Sequence, residues 1–86
     1  MKHYIAEEWE YYQYEVNNTT VKGVFATSEE ALVFVKELVA KRLNENYREV
    51  DDSQAVYDYG EGFAVRIVEW DNATRNEIVE YAYKRA

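Results

Sequence analysis

Hydrophobic and polar positions alternate along much of the chain, and the alternation changes phase at identifiable points. Residues 3–16 carry Tyr4, Ile5, Trp9, Tyr11, Tyr12, Tyr14 and Val16, mostly side chains that favour extended backbone. Trp9 and Tyr11 share one parity, whereas Tyr12, Tyr14 and Val16 share the other, so the phase flips at Tyr11-Tyr12. A bulge there, or a strand with both faces apolar, accounts for the flip. Asn17 and Asn18 tolerate positive φ and predict a turn into residues 21–26, making this first pair a hairpin.

The pattern then switches to helical spacing. Thr27-Ser28-Glu29-Glu30 matches a capping box, in which Thr27 takes the amide of Glu30 and Glu30 reaches back. Glu29 and Glu30 also suit the positive end of the helix dipole. Ala31, Leu32, Phe34, Val35, Leu38, Val39 and Leu43 fall in one arc of about 180° at 100° per residue. The expected helix spans residues 28–44, closed by Asn44 or Asn46, with Lys41 and Arg42 favouring its C-terminal end. Arg42 lies inside the apolar arc, from where it can snorkel to water.

Alternation returns afterwards. Phe63, Val65 and Ile67 share one strand face and Ala64, Arg66, Val68 and Trp70 the other; Val79, Tyr81 and Tyr83 share one side of a last strand. Residues 71–76 connect these two strands. The run 55–59 adds an optional short strand, turning at Gly60-Glu61-Gly62. The predicted fold is α+β: a single helix packed on an antiparallel sheet, in the order β-β-α-β-β, with or without one extra short strand before the third. One helix covers one face of such a sheet, so the other face exposes aromatics or meets something else.

Composition narrows the function. At 86 residues the chain is one domain, too small for a nucleotide-binding α/β fold or a barrel enzyme. It has no cysteine, which excludes disulfides, thiolate zinc and thiol catalysis. Its N-terminal sequence does not read as a signal peptide and no run of residues is long and apolar enough for a membrane span, so a soluble, cytoplasmic protein is expected. The net charge is −7, and −4 of it falls in residues 51–61, where Asp51, Asp52, Asp58 and Glu61 meet no base. Such a field repels the nucleic-acid backbone and favours a basic partner. Solubility alone is the competing explanation.

Catalytic and metal chemistry find little to work with. His3 is the only histidine, and no second imidazole completes a zinc site. The 51–61 carboxylates lack the alternating ligands and the sixth-position glycine of a calcium loop. Gly60-Glu61-Gly62 reads as a turn, since Asp58 and Glu61 repel any phosphate held there. Ser28 and Ser53 have no base beside them. No catalytic residue, metal or cofactor is expected. The signal that remains is aromatic: nine tyrosines, three phenylalanines and two tryptophans. Trp9, Tyr11, Tyr12, Tyr14, Tyr81 and Tyr83 crowd the first and last strands, where they serve either a small core or an interface.

The segment Gly23-Val24-Phe25-Ala26-Thr27-Ser28-Glu29-Glu30-Ala31 resembles a strand-to-helix junction of the type G-x-F-x-[ST]-x-E-E-A. It is found in short uncharacterised bacterial and phage-borne domains that open on a Tyr-rich hairpin. The resemblance covers roughly residues 2–45 and implies a hairpin–helix–strand domain with no assigned chemistry. In size and charge the chain is also similar to small acidic inhibitors carried by phages and mobile elements.

The expected function is therefore a non-enzymatic interaction protein. Its expected partner surface is Asp51, Asp52, Asp58, Glu61, Trp9, Tyr11, Tyr12, Tyr14, Tyr81 and Tyr83. A basic, nucleic-acid-binding protein is the expected partner, with homodimers or higher oligomers and no direct nucleic acid. Two alternatives stand beside it: a ligand-binding or catalytic domain with a Tyr-lined pocket, and a structural homodimer whose acidity is only solubilising.

Overall fold

A computed structural model describes residues 1–43 and 46–86. The elements are β1 (Lys2–Tyr12), β2 (Glu15–Phe25), α1 (Ser28–Arg42), β3 (Tyr47–Val50), α2 (Ser53–Tyr59), β4 (Glu61–Asp71) and β5 (Thr74–Arg85). The strands form one antiparallel sheet in the order β2-β1-β4-β5-β3. The α+β class holds, but the single-helix order β-β-α-β-β is corrected at two places. A four-residue strand, β3, follows α1 and adds to the β5 edge. Residues 55–59, expected as an optional strand, belong to helix α2. Local chemistry explains the second change. Asp52 caps that helix by accepting from the Ala55 amide at 3.0 Å, and Gly60 ends it in the left-handed region at φ 107°.

The first hairpin turns four residues earlier than Asn17-Asn18. Gln13 and Tyr14 form the turn, both at positive φ (53° and 63°), and Tyr12 faces Glu15 across it. The Tyr14 amide donates to the Gly60 carbonyl at 3.3 Å, so contact with α2 holds an otherwise unfavourable turn. Asn17 and Asn18 lie within β2. The phase flip is answered by a bulge in β2 rather than in β1: Glu10 pairs with Asn18 and Tyr11 with Val16, leaving Asn17 as the extra residue. A second bulge leaves out Lys22. The β4–β5 turn is also tight, with Asn72 at φ 57°.

The capping box forms as expected: Thr27 Oγ1 accepts from the Glu30 amide at 3.2 Å and donates to Glu30 Oε1 at 3.1 Å. Helix α1 ends at Arg42 with Leu43 as its cap, short of the expected residue 44; Asn44 lies outside the described residues. The helix buries Ala31, Val35 and Val39 against Ala6, Phe63, Val65, Ile67 and Tyr83 of the sheet. The expected parity of β4 and β5 is therefore correct. Arg42 keeps 32% of its side chain exposed while also contacting the core. Its guanidinium lies 4.7 Å over the Phe63 ring and 3.4 Å from Glu8, a carboxylate only 3% exposed that Lys22 also approaches at 3.5 Å. A cation inside the apolar arc thus neutralises an acid buried beneath the helix end. Leu38 packs on the same core but is half-buried. Leu38→Ala will cost about 2 kcal/mol, the low end for this truncation. Denaturant unfolding checks it, and a cost under about 0.5 kcal/mol removes the stripe from the core.

The opposite sheet face is covered at one end only. There α2 places Val56 against Tyr11, Ala64 and Ala82. Charged groups occupy the adjoining area, with Arg75 paired to Glu7, and Arg66 stacked on Trp9 at 4.3 Å. Further out, on the edge strand β2, Val16, Val21 and Val24 remain exposed.

Candidate functional site: an acidic, tyrosine-rich end of the sheet

The expected site residues divide between core and surface. Tyr11 and Tyr83 are buried within the chain; Tyr83 stacks on Phe63 at 5.1 Å and Tyr11 meets the Tyr57 ring edge-on at 6.5 Å. Trp9 is half-buried under Arg66. Tyr81, half-buried, lines an open groove with Lys36, Val39 and Leu43. This Tyr-lined hollow is on the α1 face of the sheet. Tyr12 and Tyr14 are exposed, at 51% and 60%.

The turn at Gln13 and Tyr14 gathers the exposed tyrosines with part of the acidic segment. Register places Tyr12 between Glu15 on one neighbouring strand and Glu61 on the other. Glu10, Tyr12, Glu61 and Arg42 line a shallow hollow at this end of the sheet. Tyr14 sits over Gly60, next to Tyr59 and Asp58 at the end of α2. Tyr57 and Tyr59 are 42% and 45% exposed on the α2 side, whereas Tyr12, which alternates with Tyr11, lies on the α1 side. Sequence reasoning missed Tyr57 and Tyr59 because it set them in a strand. The Asp52 and Gly60 helix signals were the clue to their true spacing.

The four expected acids do not form one cluster. Asp51 and Asp52 lie at the start of α2, and Asp58 and Glu61 at its far end, about 10 Å away for a seven-residue helix. Three are engaged locally. Asp52 caps the helix, Asp58 accepts from the Gln54 amide group at 2.9 Å, and Glu61 lies 3.9 Å from Arg85. Among the described residues, ion pairing absorbs Lys2, Lys22, Arg42, Arg66, Arg75 and Arg85. It leaves Glu15, Glu29, Glu30, Glu37, Glu49, Asp51, Asp52 and Asp58 outside any ion pair, along with the bases Lys36, Lys41, Arg48 and Lys84. Among the described residues, acids outnumber bases in the groups that no ion pair engages, so the surface is net acidic.

Arg66 is the most connected cation. It donates from Nε to Glu80 at 2.5 Å and from Nη2 to Ser53 Oγ at 2.7 Å. Burial works against its charge, but the Glu80 hydrogen bond and charge outweigh it and raise its pKa. Burial likewise pushes Glu80 up, but the Arg66 bond and the Ser53 amide hold it below the ordinary carboxylate value. Glu77 is raised, first by burial and then by the charge of Glu80. Tyr83 is raised by burial, with Glu49 adding to it. Among the described residues no buried polar side-chain atom lacks a partner, so the network reads as a pin between α2, β4 and β5. Among the described residues no group of His, Asp and Glu has metal-binding geometry, and no helix is long and apolar enough to cross a membrane. No protein family, curated protein or solved structure matches the chain.

Proposed function

We propose that this chain is a non-enzymatic interaction protein that binds a basic protein partner through the acidic, tyrosine-rich end of its sheet. The observation that carries the reading is Tyr12, exposed between Glu15 and Glu61, with Tyr14 over Gly60 at the same end of the sheet. Exposed carboxylates draw in a cation and the rings then stack on it. The chain offers an example of that contact in itself, since Lys84 Nζ lies 4.7 Å from the Tyr59 ring centre. The sharpest form of the proposal is an inhibitor, of the kind carried by a phage or mobile element, that occupies a nucleic-acid-binding protein of its host.

The test separates attraction from folding. Asp52 caps a helix and Glu61 pairs with Arg85, so reversing them also weakens the fold. Glu15→Lys, Asp51→Lys and Asp58→Lys together avoid both. A basic partner captured from native lysate at low salt will be lost at high salt. It will bind the triple variant about tenfold more slowly, with melting of the variant nearly unchanged. If the triple variant retains every captured partner at low salt, the acids serve solubility and the proposal falls.

A further inference from the structure

The two edges of the sheet are built differently. Edge strand β3 has four residues, two of them Arg48 and Glu49, which is how an edge is ordinarily kept from pairing. Edge strand β2 has eleven residues, and residues 16–21 carry no charge in a chain that is 31% charged. Four of those six are β-branched: Val16, Thr19, Thr20 and Val21. Its bulges at Asn17 and Lys22 flank a regular stretch, residues 18–21. Val16, Val21 and Val24 share one sheet face, because they stand opposite Tyr11, Glu7 and Ile5 of β1, and all three are exposed. Charge is confined to the flanks: Glu15 before the neutral stretch and Lys22 after it.

We propose that β2 pairs antiparallel with β2 of a second copy of this chain, about a two-fold axis at Thr19. Thr19 then faces its own counterpart, and Asn18 faces Thr20. The bulge at Asn17 brings Val16 opposite the other copy's Val21, so the exposed valines of both chains join into one strip. Beyond them Glu15 of each copy comes opposite the Lys22-Gly23 step of the other. Glu15 lies on the same sheet face as Glu8, and Lys22 reaches toward Glu8 at 3.5 Å. The charges therefore meet on one face, and the two-fold axis makes the contact twice. This self-complementarity in charge and register selects a second copy over an unrelated strand. It rests on the β2 edge and shares only Glu15 with the proposed partner surface, a residue that the Thr19 variants leave unchanged.

Sedimentation equilibrium of the full chain, from about 1 to 100 µM, reads the association directly. The wild type will be dimeric at the upper end. Thr19→Lys sets like charges face to face across the axis while touching only an exposed side chain. It will weaken the dimer at least about tenfold with the circular dichroism and melting of the monomer unchanged. The chain has no cysteine, so a single one reports proximity. With dissolved oxygen as oxidant, Thr19→Cys will form a covalent dimer at least about tenfold faster than Glu37→Cys, an exposed position of α1. A monomeric wild type at 100 µM overturns the proposal. So does a Thr19→Lys dimer as tight as the wild type, or equal oxidation rates at the two cysteines. The cysteine comparison decides the matter if Thr19→Lys perturbs the fold.

Discussion

Gly62→Ala will be the most damaging single-methyl change in the chain, costing about 4 kcal/mol and lowering the melting temperature on the order of 20 °C. Gly62 opens β4 at φ 156°, a backbone conformation that L side chains rarely adopt. An added Cβ lands on the Tyr83 carbonyl oxygen, 2.7 Å from Val56 Cγ1 and 2.9 Å from the Lys84 Cα. Two of those three neighbours are backbone of the paired strand β5, so relief requires separating β4 from β5 where both strands enter the core. Gly60→Ala is the matched control. Its φ of 107° is also strained, but the nearest obstacle is the exposed Tyr14 ring at 3.1 Å, which can swing away. About 1–2 kcal/mol is expected there. Thermal melts of the two variants check the contrast. A Gly62→Ala protein that melts within a few degrees of wild type removes the close approach of β4, α2 and β5 from the account.

How much of this was legible depended on whether the deciding interaction was local. The capping box at Thr27 and Glu30 is four residues long, so the start of α1 could be read directly, as could the parity of Phe63, Val65 and Ile67. Helix α2 was equally local, with Asp52 before it and Gly60 after it, but tyrosines at alternate positions 57 and 59 imitated a strand. The Gln13-Tyr14 turn was not local. It is held by contact with Gly60, a partner 46 positions away that no window on the hairpin includes. β3 has only four residues, too few for any periodicity to declare itself. For the candidate site, sequence spacing joined Asp51, Asp52, Asp58 and Glu61 in one segment, whereas the helix between them divides the group. The tyrosines looked alike in the sequence, and only sheet register separates buried Tyr11 from exposed Tyr12.

Arg66 gives the second large effect, and it carries a pH signature. Arg66→Ala will cost about 3 kcal/mol at pH 7, because it leaves Glu80 partly buried beside Glu77 with its principal cation gone. It also exposes one face of Trp9, on which the guanidinium stacks at 4.3 Å. In the wild type Glu80 titrates below its ordinary value, so its stabilisation is complete above the unfolded carboxylate pKa and is lost as pH falls through the folded one. Without Arg66, burial pushes Glu80 upward and only the Ser53 hydrogen bonds still hold it down. The variant therefore keeps less of the stabilisation that depends on an ionised Glu80. The gap between wild type and variant is therefore widest near neutrality and narrows as pH falls through the carboxylate range, around 4. Urea unfolding at pH 7 and at about pH 3 measures both ends. Removing both charges as Arg66→Met with Glu80→Leu will cost less than Arg66→Ala alone, since the more buried carboxylate leaves with its cation and Glu77, 43% exposed, is left to water. A penalty for Arg66→Ala that is the same at both pH values would mean that Arg66 acts through its packing on Trp9, and that its pairing with Glu80 contributes nothing to the fold.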